Sequence, residues 1–278
     1  MINGKFLVLS AATLGLMTVA PAAMAADEII ITPGEATDKA VKYQPAAPTR
    51  LFGVEKAITL APGEKRFGAN LQVGGLGTSA GAGVAGGVNV RADMNVSPGL
   101  EAGITATGIG AGGGAGNLLG TIGLDGKLAM TEFSVGAMPV EVAGMATLGA
   151  MAAGGGIGSA TVGVGLPMTA AITSNINATV APGLAFGFGS NTLGSTNSVA
   201  PGLVPALGLG LDVGLTKNLS AMIDGNVNYT GGFGGAGNLG LRYGFTDNLA
   251  ADLFVGYNGN PLTNVNAGTV GLGGYYAF

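Results

Sequence analysis

The chain has 278 residues, of which 55 are Gly and only 9% are charged; its net charge is −4 and it contains no His, Cys or Trp. A soluble domain carries about 25% charged residues, so an ordinary water-facing surface is excluded. The missing His and Cys exclude Ser-His hydrolysis, thiolate chemistry and disulfides, and the acidic balance leaves no basic footprint for nucleic acid.

Residues 1–25 have the pattern of a secretory signal peptide. Lys5 and the amino terminus form a positive start, Phe6 to Ala20 an apolar core, and Ala23-Met24-Ala25 a small-x-small cleavage site. The core is shorter than the roughly 20 residues of a spanning helix. Residues 26–65 differ from everything after them. Six acids, five bases and Pro33, Pro45, Pro48 and Pro62 fall between Asp27 and Lys65. That composition predicts an extended or disordered periplasmic leader. A lumen plug or a tether to a periplasmic partner is the functional alternative to a flexible tail, and the Pro and charge content favours the tail.

From residue 66 to 278 the dominant signal is a period of two, the mark of strands with one apolar and one polar face. Phe67, Ala69, Leu71 and Val73 open the series, followed by a loop over Gly77–Gly83. Val84, Val88, Val90, Ala92, Met94 and Val96 lead to a turn at Ser97-Pro98-Gly99. Leu100, Ala102 and Ile104 begin a third strand that dissolves into Gly110–Gly114. Leu118–Met130 and Val140–Ala150 follow, then Ala160 to Ile172, a turn at Thr173-Ser174-Asn175, and Ile176 to Phe188. After a loop over Gly189–Gly202 come Leu209–Leu215, Leu219–Tyr229, Leu239–Phe245, Leu249–Tyr257 and Val270–Phe278, with turns at Thr216-Lys217-Asn218 and Thr246-Asp247-Asn248 and a loop over Thr230–Gly237. Asp125-Gly126 is a strong hairpin dipeptide. It is kept inside one strand because a turn there would put later tight turns and long loops on mixed sides. The sum is an all-β, antiparallel transmembrane barrel of about twelve strands, with about ten or about fourteen as the alternatives.

The last residue, Phe278, and Tyr276 two before it end the final strand in the apolar phase. In this the chain resembles the bacterial outer-membrane β-barrel class. The resemblance implies insertion into outer-membrane lipid and treats Tyr276 and Phe278 as a signal to the barrel assembly machinery. It also implies that short turns, including those at 97–99, 173–175, 216–218 and 246–248, face the periplasm.

Charges test the phase. Of nine acids and four bases after residue 66, Arg91, Asp93, Glu101, Asp125, Lys127, Glu141, Asp212, Asp224, Arg242 and Asp252 fall in the non-apolar phase. Glu132, Lys217 and Asp247 fall in or near turns. None lies on the lipid face, where Arg or Lys costs about 2–4 kcal/mol at mid-bilayer. The ten either neutralise one another in a filled interior or line a wet pore whose excess of acids favours cations. Small inward residues such as Gly208, Gly210, Gly214, Gly271 and Gly273 cannot fill a barrel of this size, which favours the pore. A passive, modestly cation-preferring pore for ions or small polar solutes is the function expected. The alternative is an anchoring barrel whose leader engages a periplasmic partner. No enzyme activity, cofactor or metal site is expected. Gly108–Gly113 matches G-x-G-x-x-G, but no helix follows and the match is chance in so Gly-rich a chain. Gly86 and Gly274 on the lipid face would let barrels touch, yet nothing selects an oligomer. Phe67, Phe186, Phe188, Tyr229, Tyr243, Tyr257 and Tyr276 are candidates for interfacial girdles.

Overall fold

The computed structural model describes residues 51–78, 81–112, 118–136, 138–153, 156–189, 202–229, 233–260 and 265–278. The signal peptide, most of the leader and the interior of the 189–202 loop lie outside the described residues. Thirteen strands follow one another: β1 (Lys65–Thr78), β2 (Gly81–Ser97), β3 (Leu100–Gly112), β4 (Leu118–Val135), β5 (Met138–Ala153), β6 (Gly156–Gly165), β7 (Met168–Thr173), β8 (Ile176–Gly189), β9 (Gly202–Thr216), β10 (Leu219–Tyr229), β11 (Phe233–Gly244), β12 (Leu249–Asn260) and β13 (Val265–Ala277).

Every neighbour is antiparallel. β1 pairs with both β2 and β13, and β4 pairs with β5, so the sheet closes on itself. β6 and β7 are two parts of one wall element. Gly165 pairs with Met145 and Gly183, and Met168 pairs with Val142 and Val180, so the register runs unbroken across the gap. Pro167 has no N–H to give to the ladder, and that alone divides the element. The barrel therefore has twelve staves, as the alternation predicts. Asp125-Gly126 lies mid-strand, with Gly126 opposite Ala102 and Ala146.

Several boundaries differ from the sequence reading, and glycine is involved in most of the larger differences. The expected loop at 77–83 is mostly strand: β1 runs to Thr78 and β2 starts at Gly81. β3 continues through Gly110 to Gly112, and β11 begins at Phe233 rather than Leu239. Glycine shows no alternation, yet its backbone pairs with a neighbouring strand as well as any other once the sheet holds it. β4 runs past Met130 to Val135, bulged between Ala129 and Thr131, so Glu132 lies opposite Glu141 instead of in a turn.

Register turns alternation into a surface. Val73, Val270, Val255, Leu239, Ile223, Leu211 and Ala178 are successive cross-strand neighbours. Most of this row is about half exposed, and Leu71 and Leu272 beside it exceed that. A continuous exposed apolar face of this kind is solvated by lipid, and a closed barrel leaves no sheet edge in the membrane. Phe67, Tyr243, Phe245, Tyr276 and Phe278 are exposed toward the end that holds the short turns, and Phe186, Tyr229 and Tyr257 toward the other. They lie where interfacial girdles are expected; the side chain of Phe188 lies outside the described residues. At the short-turn end, Lys65 and Phe278 exchange backbone N–H···O bonds of 2.9 Å each, which ties the last residue to the first strand.

Candidate functional site: the barrel lumen

The ten charged residues in the polar phase all face the interior, where charged or hydrogen-bonding partners hold them. Arg91 on β2 is the hub of one group. Its Nη2 lies 2.5 Å from Asp93 Oδ1 and 2.8 Å from Asp125 Oδ2, while Nη1 bonds Asp125 Oδ1 at 2.9 Å and Thr105 Oγ1 at 2.7 Å. Asp125 is two strands away. The guanidinium reaches it across Gly103 of β3, which lies between Asp93 and Asp125 in register. A Cβ at Gly103 would collide with Arg91 and lie 2.5 Å from Asp93 Oδ1, so the bidentate contact depends on a bare backbone there. A second group joins β11 to β12, with Arg242 Nε and Nη2 bonding the two Asp252 oxygens at 2.6 and 2.7 Å. Arg242 and Arg66 stand over the buried Tyr275 ring at 4.9 and 5.5 Å. Glu141, at the short-turn end of β5, is half-buried opposite Thr169.

The rest of the charges meet a part of the chain that alternation does not reveal. Residues 51–64, which the sequence places in the leader, run through the lumen before β1 begins. Leu51, Val54, Glu55, Lys56, Ala57 and Leu60 are each no more than 2% exposed. The segment forms no strand and makes only a single β-bridge at Glu55, and three of its backbone donors are taken by side chains of the wall. Gly53 N–H donates to Asp224 Oδ2 on β10 at 2.5 Å, Ala57 N–H to Thr169 Oγ1 on β7 at 2.8 Å, and Leu60 N–H to Glu101 Oε2 on β3 at 2.9 Å. Lys56 forms an ion pair of 2.7 Å with Asp212 on β9. Lys127 on β4 stands 3.7 Å from Glu101 and 4.0 Å from Glu55. These partners come from strands all round the barrel, which is possible only from inside it.

Apolar contacts complete the docking. Phe52 stacks on Phe254 with ring centroids 4.9 Å apart, and Leu51 and Val54 form a cluster with Met222. Glycines make the floor. A Cβ on Gly210 would overlap Leu51 Cδ1, whereas its nearest wall atom, Asp224 Cβ, is 3.7 Å away. A Cβ on Gly208 would lie 3.2 Å from both Val54 methyls. These glycines, which in the sequence suggest pore width, are the recess that receives the segment. Beside Val54 a small apolar cavity of about 60 Å³ remains, lined by Met145, Gly165, Pro167, Ala181, Ala206 and Gly208 among others. Among the described residues no group of acids could hold a metal ion. The bulky inward residues Met145, Met222, Phe254 and Tyr275 were the available sign of a packed interior, since a wet pore gives them nothing to touch.

No protein-family model and no curated protein matches the chain. Solved structures do. An outer-membrane channel from Pseudomonas putida F1 is similar with a TM-score of 0.54 at 9% identity, covering 78% of this chain and 96% of that one. The KdgM porin in complex with disordered oligogalacturonate gives 0.51 at 10% identity, covering 76% and 99%, and the NanC porin 0.51 at 9%, covering 75% and 98%. At such identities the likeness is one of fold. The fold is that of the bacterial outer-membrane β-barrels, with the apolar exterior and charged interior that such a membrane requires.

Proposed function

We propose that the protein is a passive pore for ions or small polar solutes in the outer membrane of a Gram-negative-type bacterium. The observation that carries this reading is the division of the wall of a closed barrel: apolar residues outward, ionisable side chains inward. The likeness to porins and to an outer-membrane channel supports it. Residues 1–25 would direct export, and exposed Tyr276 and Phe278, whose rings stack at 5.9 Å, would be offered to the assembly machinery. The short turns would face the periplasm, as they do in barrels of this class.

Seven of the ten inward charges are acidic: Asp93, Glu101, Asp125, Glu141, Asp212, Asp224 and Asp252. A hydrated lumen with that excess attracts cations, and Arg91, Lys127 and Arg242, with the buried Arg66 beside them, keep the preference modest. In a barrel with residues 51–60 deleted, Asp212 and Asp224 lose Lys56 and Gly53 as partners and face water. There, reversal potentials across a KCl gradient should indicate cation preference, and Asp212→Asn with Asp224→Asn should shift them toward anions. The preference should fade near 1 M salt, where the Debye length falls from about 10 Å to about 3 Å. Equal reversal potentials for parent and double variant would remove these aspartates from selectivity.

A further inference from the structure

We infer that residues 51–60 are a gate: a docked segment that closes the lumen and leaves it without disturbing the wall. The inference rests on the pore reading and adds its regulation.

Three observations separate a gate from permanent filling. First, the wall is complete without the segment. Each stave has two antiparallel neighbours, and residues 51–60 add no strand to the wall, only a single β-bridge at Glu55. Withdrawal therefore costs that one bridge and leaves every pairing between staves intact. Second, the polar contacts are of a kind that water replaces. Asp224, Thr169 and Glu101 accept single backbone N–H bonds, and Asp212 accepts one ammonium. Once the segment leaves, all four acceptors face a lumen that water can enter, so none is stranded in an apolar site. Third, part of the apolar hold is seated on glycine. Leu51 and Val54 rest against Gly210 and Gly208, and Phe52 on Phe254.

Covalent geometry sets the hinge. The segment joins β1 at Lys65 through a turn in which Glu64 N–H bonds Ala61 O at 2.9 Å and Gly63 has φ of 82°. That turn lies at the rim, where Glu64 O accepts from Asn95 N at 2.9 Å. A conformation with positive φ suits Gly and fixes the direction in which the chain turns inward. Motion about this point moves residues 51–60 as a unit while β1 stays in register.

Gly210 supplies a selective test, because a side chain there meets Leu51 and little else. Gly210→Val and a deletion of residues 51–60 are each compared with the parent chain in planar bilayers. Folding is checked by β-sheet circular dichroism and heat-modifiable migration. The parent should be closed for most of the record, and both variants should carry steady currents with an open fraction at least about tenfold higher. A parent that conducts as steadily as both variants would overturn the gate and leave the pore reading standing. Silence from folded variants of both kinds would overturn the pore reading and the gate with it.

Discussion

Replacing Arg91 by Met should destabilise the folded barrel by about 3–5 kcal/mol, the usual cost of removing one partner from a buried ion pair. The guanidinium serves Asp93 and Asp125 together, and its side chain is 4% exposed, with 1% and 6% for the two acids. Without it two carboxylates stay in the interior facing each other across Gly103. The loss should be read from the urea midpoint of the barrel refolded in lipid vesicles. Adding Asp93→Asn and Asp125→Asn should restore most of it, since amides keep the shape and remove the stranded charge. The magnitude also reports on the lumen. In a water-filled interior the same substitution would cost about 1 kcal/mol or less, as for exposed pairs. A small loss would therefore contradict the dry, segment-filled interior.

Leu253→Arg on β12 should cost about 2–4 kcal/mol of membrane stability, the depth-dependent cost of a mid-bilayer cation on a barrel exterior. Leu253 is 51% exposed and flanked in register by Leu241 and Leu272, both outward. Leu249 lies on the same face four residues earlier, at the start of the strand beside the turn, and is 42% exposed. Arg there should cost only about 0–1 kcal/mol, because its guanidinium reaches the interface. Equal effects at the two positions would mean that this face does not lie against lipid.

How much was legible in the sequence depended on which physics wrote it. Outward residues such as Leu239, Leu241, Leu253 and Val255 must be apolar at every second position, so the staves could be read almost by counting. Glycine stretches such as Gly110–Gly112 carry no such mark, and their strands appear only when neighbours supply the hydrogen bonds. The inward charges were legible as a phase. Their partners were not, because Arg91 reaches two strands sideways and Lys56 lies more than 150 residues from Asp212. From sequence the docked segment is weighed as a lumen plug and disfavoured against a flexible tail. It adopts no repeating structure, so it has no period, and its Pro and charge content matches that of a flexible tail. Its charges are there because they face carboxylates and Lys127, not water. Phe254, Tyr275 and Met222, bulky residues in the polar phase, were the overlooked clue.

The most direct test of lumen docking is a disulfide between the segment and the wall. The chain has no cysteine of its own, so Val54→Cys with Gly208→Cys introduces a single pair. Both Val54 methyls lie 3.2 Å from where a Cβ on Gly208 would be, close enough for the Cβ separation of about 3.5–4.5 Å that a disulfide needs. In isolated outer membranes under mild oxidation the bond should form nearly completely, seen as a reductant-sensitive change in gel migration. The oxidised barrel should then stay closed until reductant is added. Absence of the bond, with alkylation at position 54 as fast as at the exposed Lys217 turn in a Lys217→Cys control, would contradict a segment docked in the lumen.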